Sequence, residues 1–132
     1  MSRSPDVLAA PPAILDGAQS LLESTDWSSA FWWCRGAALL ARQALELSLK
    51  QFWQMHQPGM ELASMRAQFL ALHDVKVDRR TIADGHIAWD LLSRACHHHP
   101  YELSPTREEV VNWIAIVRRV HEQLVAHPPT FH

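Results

Sequence analysis

The sequence has few of the residues that mark disulfide-rich, turn-rich or membrane-spanning proteins. Among its 132 residues are two cysteines, Cys34 and Cys96, with no CxxC pair, which argues against a secreted disulfide framework and favours a reducing compartment. Four glycines are few, as is typical of helical chains with few tight turns. No apolar run approaches the roughly 20 residues of a membrane span, and the first residues lack a secretion signal. We therefore expect a cytoplasmic protein with no membrane segment.

Net charge and chain length further restrict the class of protein. The net charge of −2 argues against a protein that binds nucleic acid over its whole surface, but it is compatible with a local basic site. A chain of this length forms one domain that buries about two thirds of its unfolded surface. Six tryptophans at helical spacing indicate extensive helix–helix packing or a large interface.

Apolar residues recur at steps of three and four along most of the chain, and no strand-like alternation is found. Four helices are predicted at about 13–23, 27–56, 60–73 and 79–97. A fifth follows a cap at Ser104 or Thr106, with Glu109 at capping-box spacing from Thr106. We expect an all-α antiparallel bundle of about five helices. Residues 1–12 would be a flexible N-terminal tail, 13–126 a single domain and 127–132 a C-terminal tail.

The second predicted helix carries two neighbouring apolar seams, so it is buried on more than one side. It is either the central helix of the bundle or partly at a subunit interface. The first seam comprises Phe31, Cys34, Ala38, Ala41, Leu45, Ser48 and Phe52, and the second comprises Trp33, Ala37, Leu40, Ala44 and Leu47.

The end of the fourth predicted helix concentrates reactive side chains in the segment Ser93-Arg94-Ala95-Cys96-His97-His98-His99-Pro100-Tyr101. Arginine offers a charged fork of donors for phosphate oxygens, and histidine can give or take a proton near neutral pH. Together they suit RNA cleavage without metal. A base removes the 2′-hydroxyl proton, and a cation stabilises the charge on the phosphorane.

Helical geometry leaves the choice of histidine open. At 100° per residue, Arg94 lies about 40° from His98, about 60° from His97 and about 140° from His99. Because Pro100 ends the helix, His99 can swing back towards Arg94. Asp90, four residues before Arg94, is either its surface ion-pair partner or an orienting group for it, and Arg35 reaches either solvent or the site.

This segment and its position before the last long helix resemble the HEPN superfamily of small helical proteins, many of which are metal-independent ribonucleases. Their motif is an arginine followed after four to six residues by a histidine, here Arg94 and His99. Adding Tyr101 gives the longer form that is similar to the toxin of HEPN/minimal-nucleotidyltransferase pairs. The stretch Ala41-Arg42-Gln43-Ala44-Leu45-Glu46 is similar to the second long helix of many members.

The resemblance implies that Arg94 holds phosphate and His99 acts as acid or base. The positions of His97, His98, Asp90 and Arg35 make them possible supporting residues. Tyr101 would be structural, or a target for a nucleotidyltransferase antitoxin. The resemblance further implies a homodimer with the two motifs facing a shared cleft, an RNA substrate, and no cofactor or metal.

Two other hypotheses stand beside the ribonuclease. Ala95 follows Arg94 where active members commonly carry a polar residue, so the chain could be a non-catalytic module that binds nucleotide, RNA or a protein partner. The other hypothesis is a metal site that uses Cys96 and His99, which have usable i,i+3 spacing but need further ligands from elsewhere.

Overall fold

The structure, a computed structural model, describes residues 5–23, 30–97 and 104–127. Within these ranges it contains five α-helices and no strand, which confirms the all-α bundle. The helices are α1 (Pro5–Leu22), α2 (Ala30–His56), α3 (Met65–Ala71), α4 (Arg79–Cys96) and α5 (Arg107–Ala126). No helix in the described ranges combines the length and the apolar character that crossing a membrane demands.

Helix α2 is the centre of the bundle and packs against α1, α4 and α5. Most residues of its two predicted seams from Ala37 onward are buried, which confirms the seams over that stretch. The buried α2 residues are Ala37, Ala38, Ala41, Ala44, Leu45, Ser48, Leu49, Gln51, Phe52 and Trp53. The alanines let neighbouring helices approach, while the larger side chains fill the core at the other end. Burial on several sides gives α2 the central position that its sequence predicted.

Side-chain contacts define the helix directions. Ser48 on α2 bonds His121 on α5, and Phe52 contacts His127 just beyond α5, so α2 and α5 run parallel. Arg42 lies 4.8 Å from the ring centre of Trp89 on α4. Because Arg35, earlier in α2, contacts the far end of α4, α4 runs antiparallel to α2.

The prediction that the first helix begins at Ala13 was wrong, because α1 begins at Pro5 and contains Pro11 and Pro12. Residues 5–12, which the sequence assigned to a flexible tail, are therefore helical. A proline inside a helix removes a backbone hydrogen bond and crowds the preceding turn. Pro11 is fully buried, and the apolar surface that its ring removes from water offsets that cost.

The predicted helix at 60–73 is divided in the structure. Residues Met60–Leu62 form a 3₁₀ turn, α3 starts at Met65, and a second 3₁₀ turn spans Leu72–Val75. The division arises because the Ser64 hydroxyl accepts a hydrogen bond from the Ala67 amide and so caps α3. Leu62, which lies within the predicted helix but before α3, is 87% exposed.

Two predicted helix starts are confirmed. The Asp78 carboxylate accepts from the Thr81 amide at 3.1 Å and caps α4. At the start of α5, Thr106 and Glu109 form a reciprocal capping box, with N–O distances of 3.0 and 3.1 Å. The residues before the second helix that have capping side chains, Ser24, Thr25 and Asp26, lie outside the described residues.

Close backbone approach fixes the position of α4 against its neighbours. A Cβ at Gly85 would lie 2.9 Å from Val120 Cγ2 on α5 and 3.1 Å from Phe69 Cε1 on α3. The glycine therefore lets α4 lie closer to both helices than any other residue would. At the opposite side of α5, Arg107 Nε donates to the Leu22 carbonyl at 2.9 Å and so satisfies the last turn of α1.

Candidate functional site

The end of α4 brings part of the arginine–histidine segment into a defined position. Arg94 lies in the last turn of the helix and is exposed. His97 is the C-cap residue, with an extended backbone at φ −88° and ψ 132°, and its amide donates to the Arg94 carbonyl at 3.2 Å. The chain thus leaves the helix at His97, and its carbonyl is released from the helical pattern.

Arg35, on the facing part of α2, satisfies this carbonyl. Its Nη2 donates to the His97 carbonyl oxygen at 2.8 Å, a charge-assisted bond of the kind favoured at helix C-termini. The two residues lie 62 positions apart in the sequence. Arg35 itself is half-buried, so its long side chain is packed along the bundle and its charged head reaches the end of α4.

A cleft of about 300 Å³ lies at this point, between the end of α4 and the start of α5. We call it the α4–α5 cleft. Its lining residues are Arg35, Leu91, Arg94, Ala95, His97, Ser104, Pro105, Glu109 and Trp113. Two guanidinium groups and an imidazole therefore face the same space as an apolar wall, an arrangement that suits a ligand with both a phosphate and a less polar part.

Glu109 is the one carboxylate among these lining residues. Its Oε1 accepts from the Thr106 amide as half of the capping box, so its position is set by the start of α5. The positive end of the α5 dipole lies at the same place. The cleft consequently has a net cationic lining with a single fixed negative group.

The predicted role of Asp90 is not supported by the geometry. Within the described ranges, no ion pair joins Asp90 to Arg94, and Asp90 does not line the cleft. Both side chains are exposed, where an i,i+4 pair is worth only a few tenths of a kcal/mol and water competes for both charges. His86, four residues before Asp90, stacks on Phe69 with ring centres 5.1 Å apart.

The structure brings three predicted site residues together, Arg35, Arg94 and His97. Of the other four, Asp90 lies away from the cleft, and His98, His99 and Tyr101 lie outside the described residues. Among the described residues, no group of three or more His, Cys, Asp or Glu side chains is placed to hold a metal ion.

Two ionisable groups elsewhere are perturbed by burial. His121 is 8% exposed and hydrogen-bonds Ser48 Oγ through Nδ1 at 3.0 Å. Burial lowers its pKa, against a smaller opposing effect of Glu122. Burial likewise raises the pKa of the Cys34 thiol, partly offset by the nearby Arg107, which fits the prediction that Cys34 is a packing residue.

The sequence did not identify Glu109 or Trp113 as cleft residues, because each already had a local explanation, as a cap and as core, and it gave no role to Leu91. A signal was present in the spacing of Glu109 and Trp113, which lie four residues apart and so share one side of α5, with Pro105 just before the helix. That side faces the end of α4 in the structure. Comparisons with protein-family models, with curated proteins and with solved structures find no match for this chain.

Proposed function

We propose that this chain is a metal-independent endoribonuclease of the HEPN type, acting at the α4–α5 cleft. The observation that carries the proposal is the convergence of Arg94, Arg35 and His97 on one cleft. His97, which lines the cleft, directly precedes His98 and His99 in the sequence. The apolar wall formed by Leu91, Pro105 and Trp113 gives a sugar or base a surface beside the phosphate.

In the proposed reaction, Arg94 holds the scissile phosphate and stabilises the charge that accumulates on the phosphorane. A histidine of the 97–99 segment removes the 2′-hydroxyl proton, and the 2′-oxygen attacks phosphorus. The bond from phosphorus to the 5′-oxygen breaks, and that oxygen takes up a proton from the protonated histidine or from water. The products are a 2′,3′-cyclic phosphate and a 5′-hydroxyl, because the attacking nucleophile is the 2′-oxygen of the substrate itself.

The proposal includes a homodimer, in which two such clefts would face one another, and a place in the cytoplasm. An exposed apolar side chain that a subunit contact could cover is Ile87 on α4, which is 57% exposed. A toxin or defence role, with Tyr101 modified by a nucleotidyltransferase antitoxin, is a separate part of the proposal. Recovery of unmodified Tyr101 after co-expression with such a transferase would count against it.

The test is cleavage of a mixed RNA substrate in EDTA by the wild type and by Arg94→Ala, His97→Ala and His99→Ala. We expect Arg94→Ala to lower kcat/KM by at least about 100-fold, the usual effect of removing a group that stabilises transition-state charge. With His98→Ala added to the set, one of the three histidine variants should lose activity to a similar degree. The product ends should be cyclic phosphates, and helix content by circular dichroism should be unchanged.

Matched controls are available on the same protein. Arg80 lies at the other end of α4 with its side chain 88% exposed, and His73 is exposed after α3. Arg80→Ala and His73→Ala should cleave as the wild type does. If a well-folded wild type leaves RNA intact but binds a non-cleavable oligonucleotide through Arg94, the chain is instead a non-catalytic RNA-binding module. The apolar Ala95 in the cleft lining is the observation that favours that second function.

A further inference from the structure

We propose that Arg35 is a positioning residue of the cleft: through the backbone carbonyl of His97, it fixes where the chain leaves α4. This places the His97 side chain relative to Arg94. The inference rests on the proposed function for its kinetic consequence, but the structural link itself lies entirely in the described residues. The contact concerned is the 2.8 Å bond from Arg35 Nη2 to the His97 oxygen.

The local geometry explains why this carbonyl needs an external partner. His97 has left helical φ/ψ, so its carbonyl no longer points along the helix axis as the carbonyls within α4 do. The amide of His97 still holds the helix through Arg94, at 3.2 Å. One residue is therefore held from both sides: its amide is bonded to the helix that carries Arg94, and its carbonyl is bonded to α2.

The burial of the two arginines separates their roles. Arg94 is exposed at the rim of the cleft, whereas Arg35 is half-buried and has an Nη2 donor committed to a backbone oxygen. A planar guanidinium that is oriented by such a bond holds a fixed geometry. Arg94 is thus placed to bind an incoming phosphate. Arg35 holds the end of α4 in the position in which Arg94 and His97 line the same cleft.

Loss of this link should affect the rate of the chemical step more than binding. Misplacement of a reacting group by about 1 Å can cost about 100-fold in rate, because the near-attack geometry is lost. Binding depends on charge and surface that remain in place at Arg94 and the apolar wall. A direct phosphate contact by Arg35 would show the opposite pattern, with weaker binding as the main effect.

The experiment compares Arg35→Met with Arg42→Met in the full chain. Methionine keeps much of the aliphatic stem but removes the donors. Arg42 is a matched control, since it lies on the same helix, has its side chain 28% exposed and also makes one side-chain hydrogen bond, to Glu46. Steady-state cleavage gives kcat and KM, and fluorescence titration gives the affinity for a non-cleavable 2′-methoxy oligonucleotide.

For Arg35→Met we expect kcat to fall by about 10- to 100-fold, with KM and oligonucleotide affinity within about threefold of the wild type. Arg42→Met should change neither. An unchanged kcat in Arg35→Met would overturn the inference. Weakened binding with an unchanged kcat would also overturn it and would assign Arg35 to direct phosphate contact.

A second measurement separates this inference from the proposed function. If the wild type does not cleave RNA, the ribonuclease proposal fails on that result alone. Nuclear magnetic resonance then decides the role of Arg35. Shifted backbone signals and lower order parameters at His97 in Arg35→Met, with none in Arg42→Met, would support the positioning role. Unchanged His97 signals would refute it.

Discussion

Substitution of Gly85 by alanine tests the packing that brings α4 against α5. The new methyl group would lie 2.9 Å from Val120 Cγ2 and 3.1 Å from Phe69 Cε1, both well inside normal contact. Neither neighbour can move aside easily. Val120 is buried and has a stiff χ1 angle, and Phe69 is 1% exposed and stacked on His86. The alanine must therefore push the helices apart or force strained side chains.

The expected magnitude is the difference between two effects. Overpacking of a filled core costs about 1–3 kcal/mol, and clashes on two sides favour the upper half of that range. Replacing glycine by alanine within a helix gains about 1 kcal/mol in helix propensity. We therefore expect a net loss of about 1–2 kcal/mol in the free energy of unfolding, or a Tm lower by about 4–8 °C for a chain of this size.

Urea unfolding followed by circular dichroism measures this difference, and an unchanged m-value shows that the same two states are compared. Gly17→Ala is the matched control, because Gly17 is exposed on α1 and a Cβ there would meet only Leu40 Cδ1, at an ordinary 3.9 Å. That variant should be more stable by about 1 kcal/mol. If Gly85→Ala is as stable as the wild type while Gly17→Ala behaves as expected, the close packing of α4 was misjudged.

Two further predictions concern charge. Burial lowers the pKa of His121 in the folded state, so the unfolded chain takes up the proton first as pH falls. The contribution of His121 to the free energy of unfolding should therefore be full above about pH 6.5 and decrease below it. His121→Gln should flatten that decrease, as measured by urea titrations across the pH range. An equal pH dependence in both proteins would contradict the assignment. Glu109→Gln removes the negative group of the cleft but can keep the capping box with Thr106. Affinity for a non-cleavable oligonucleotide should rise by about two- to fivefold at low salt, and the gain should shrink in concentrated salt; an unchanged affinity would place Glu109 away from the ligand.

The sequence predicted those parts of the fold that depend on neighbours a few positions away. The stripe of α5, from Val110 through Trp113 to Leu124, is buried as expected, because helical periodicity alone determines which side faces the core. The capping box of Thr106 and Glu109 is confirmed for the same reason, since both partners lie within one turn. Pro11 was misjudged because its burial by other helices offsets a local cost, and no local pattern carries that information.

The candidate site shows the same division. The sequence identified Arg94 and His97 from their density in one segment, and it raised Arg35 only as a residue that reaches either solvent or the site. The bond that places Arg35 spans 62 positions and depends on the antiparallel packing of α2 and α4. Glu109 and Trp113 were assigned to capping and core, because their part in the cleft requires the start of α5 to lie beside the end of α4.

The composition of the α4–α5 cleft has a consequence for the order in which the protein is made. Ribosomes deliver α2 and α4 before α5, so a growing chain holds Arg35 and Arg94 while the wall that carries Pro105, Glu109 and Trp113 does not yet exist. The last turn of α1 likewise waits for Arg107 to bond the Leu22 carbonyl. The chain therefore acquires this cleft only when α5 has been synthesised and has docked, and a chain that stops before α5 cannot form it.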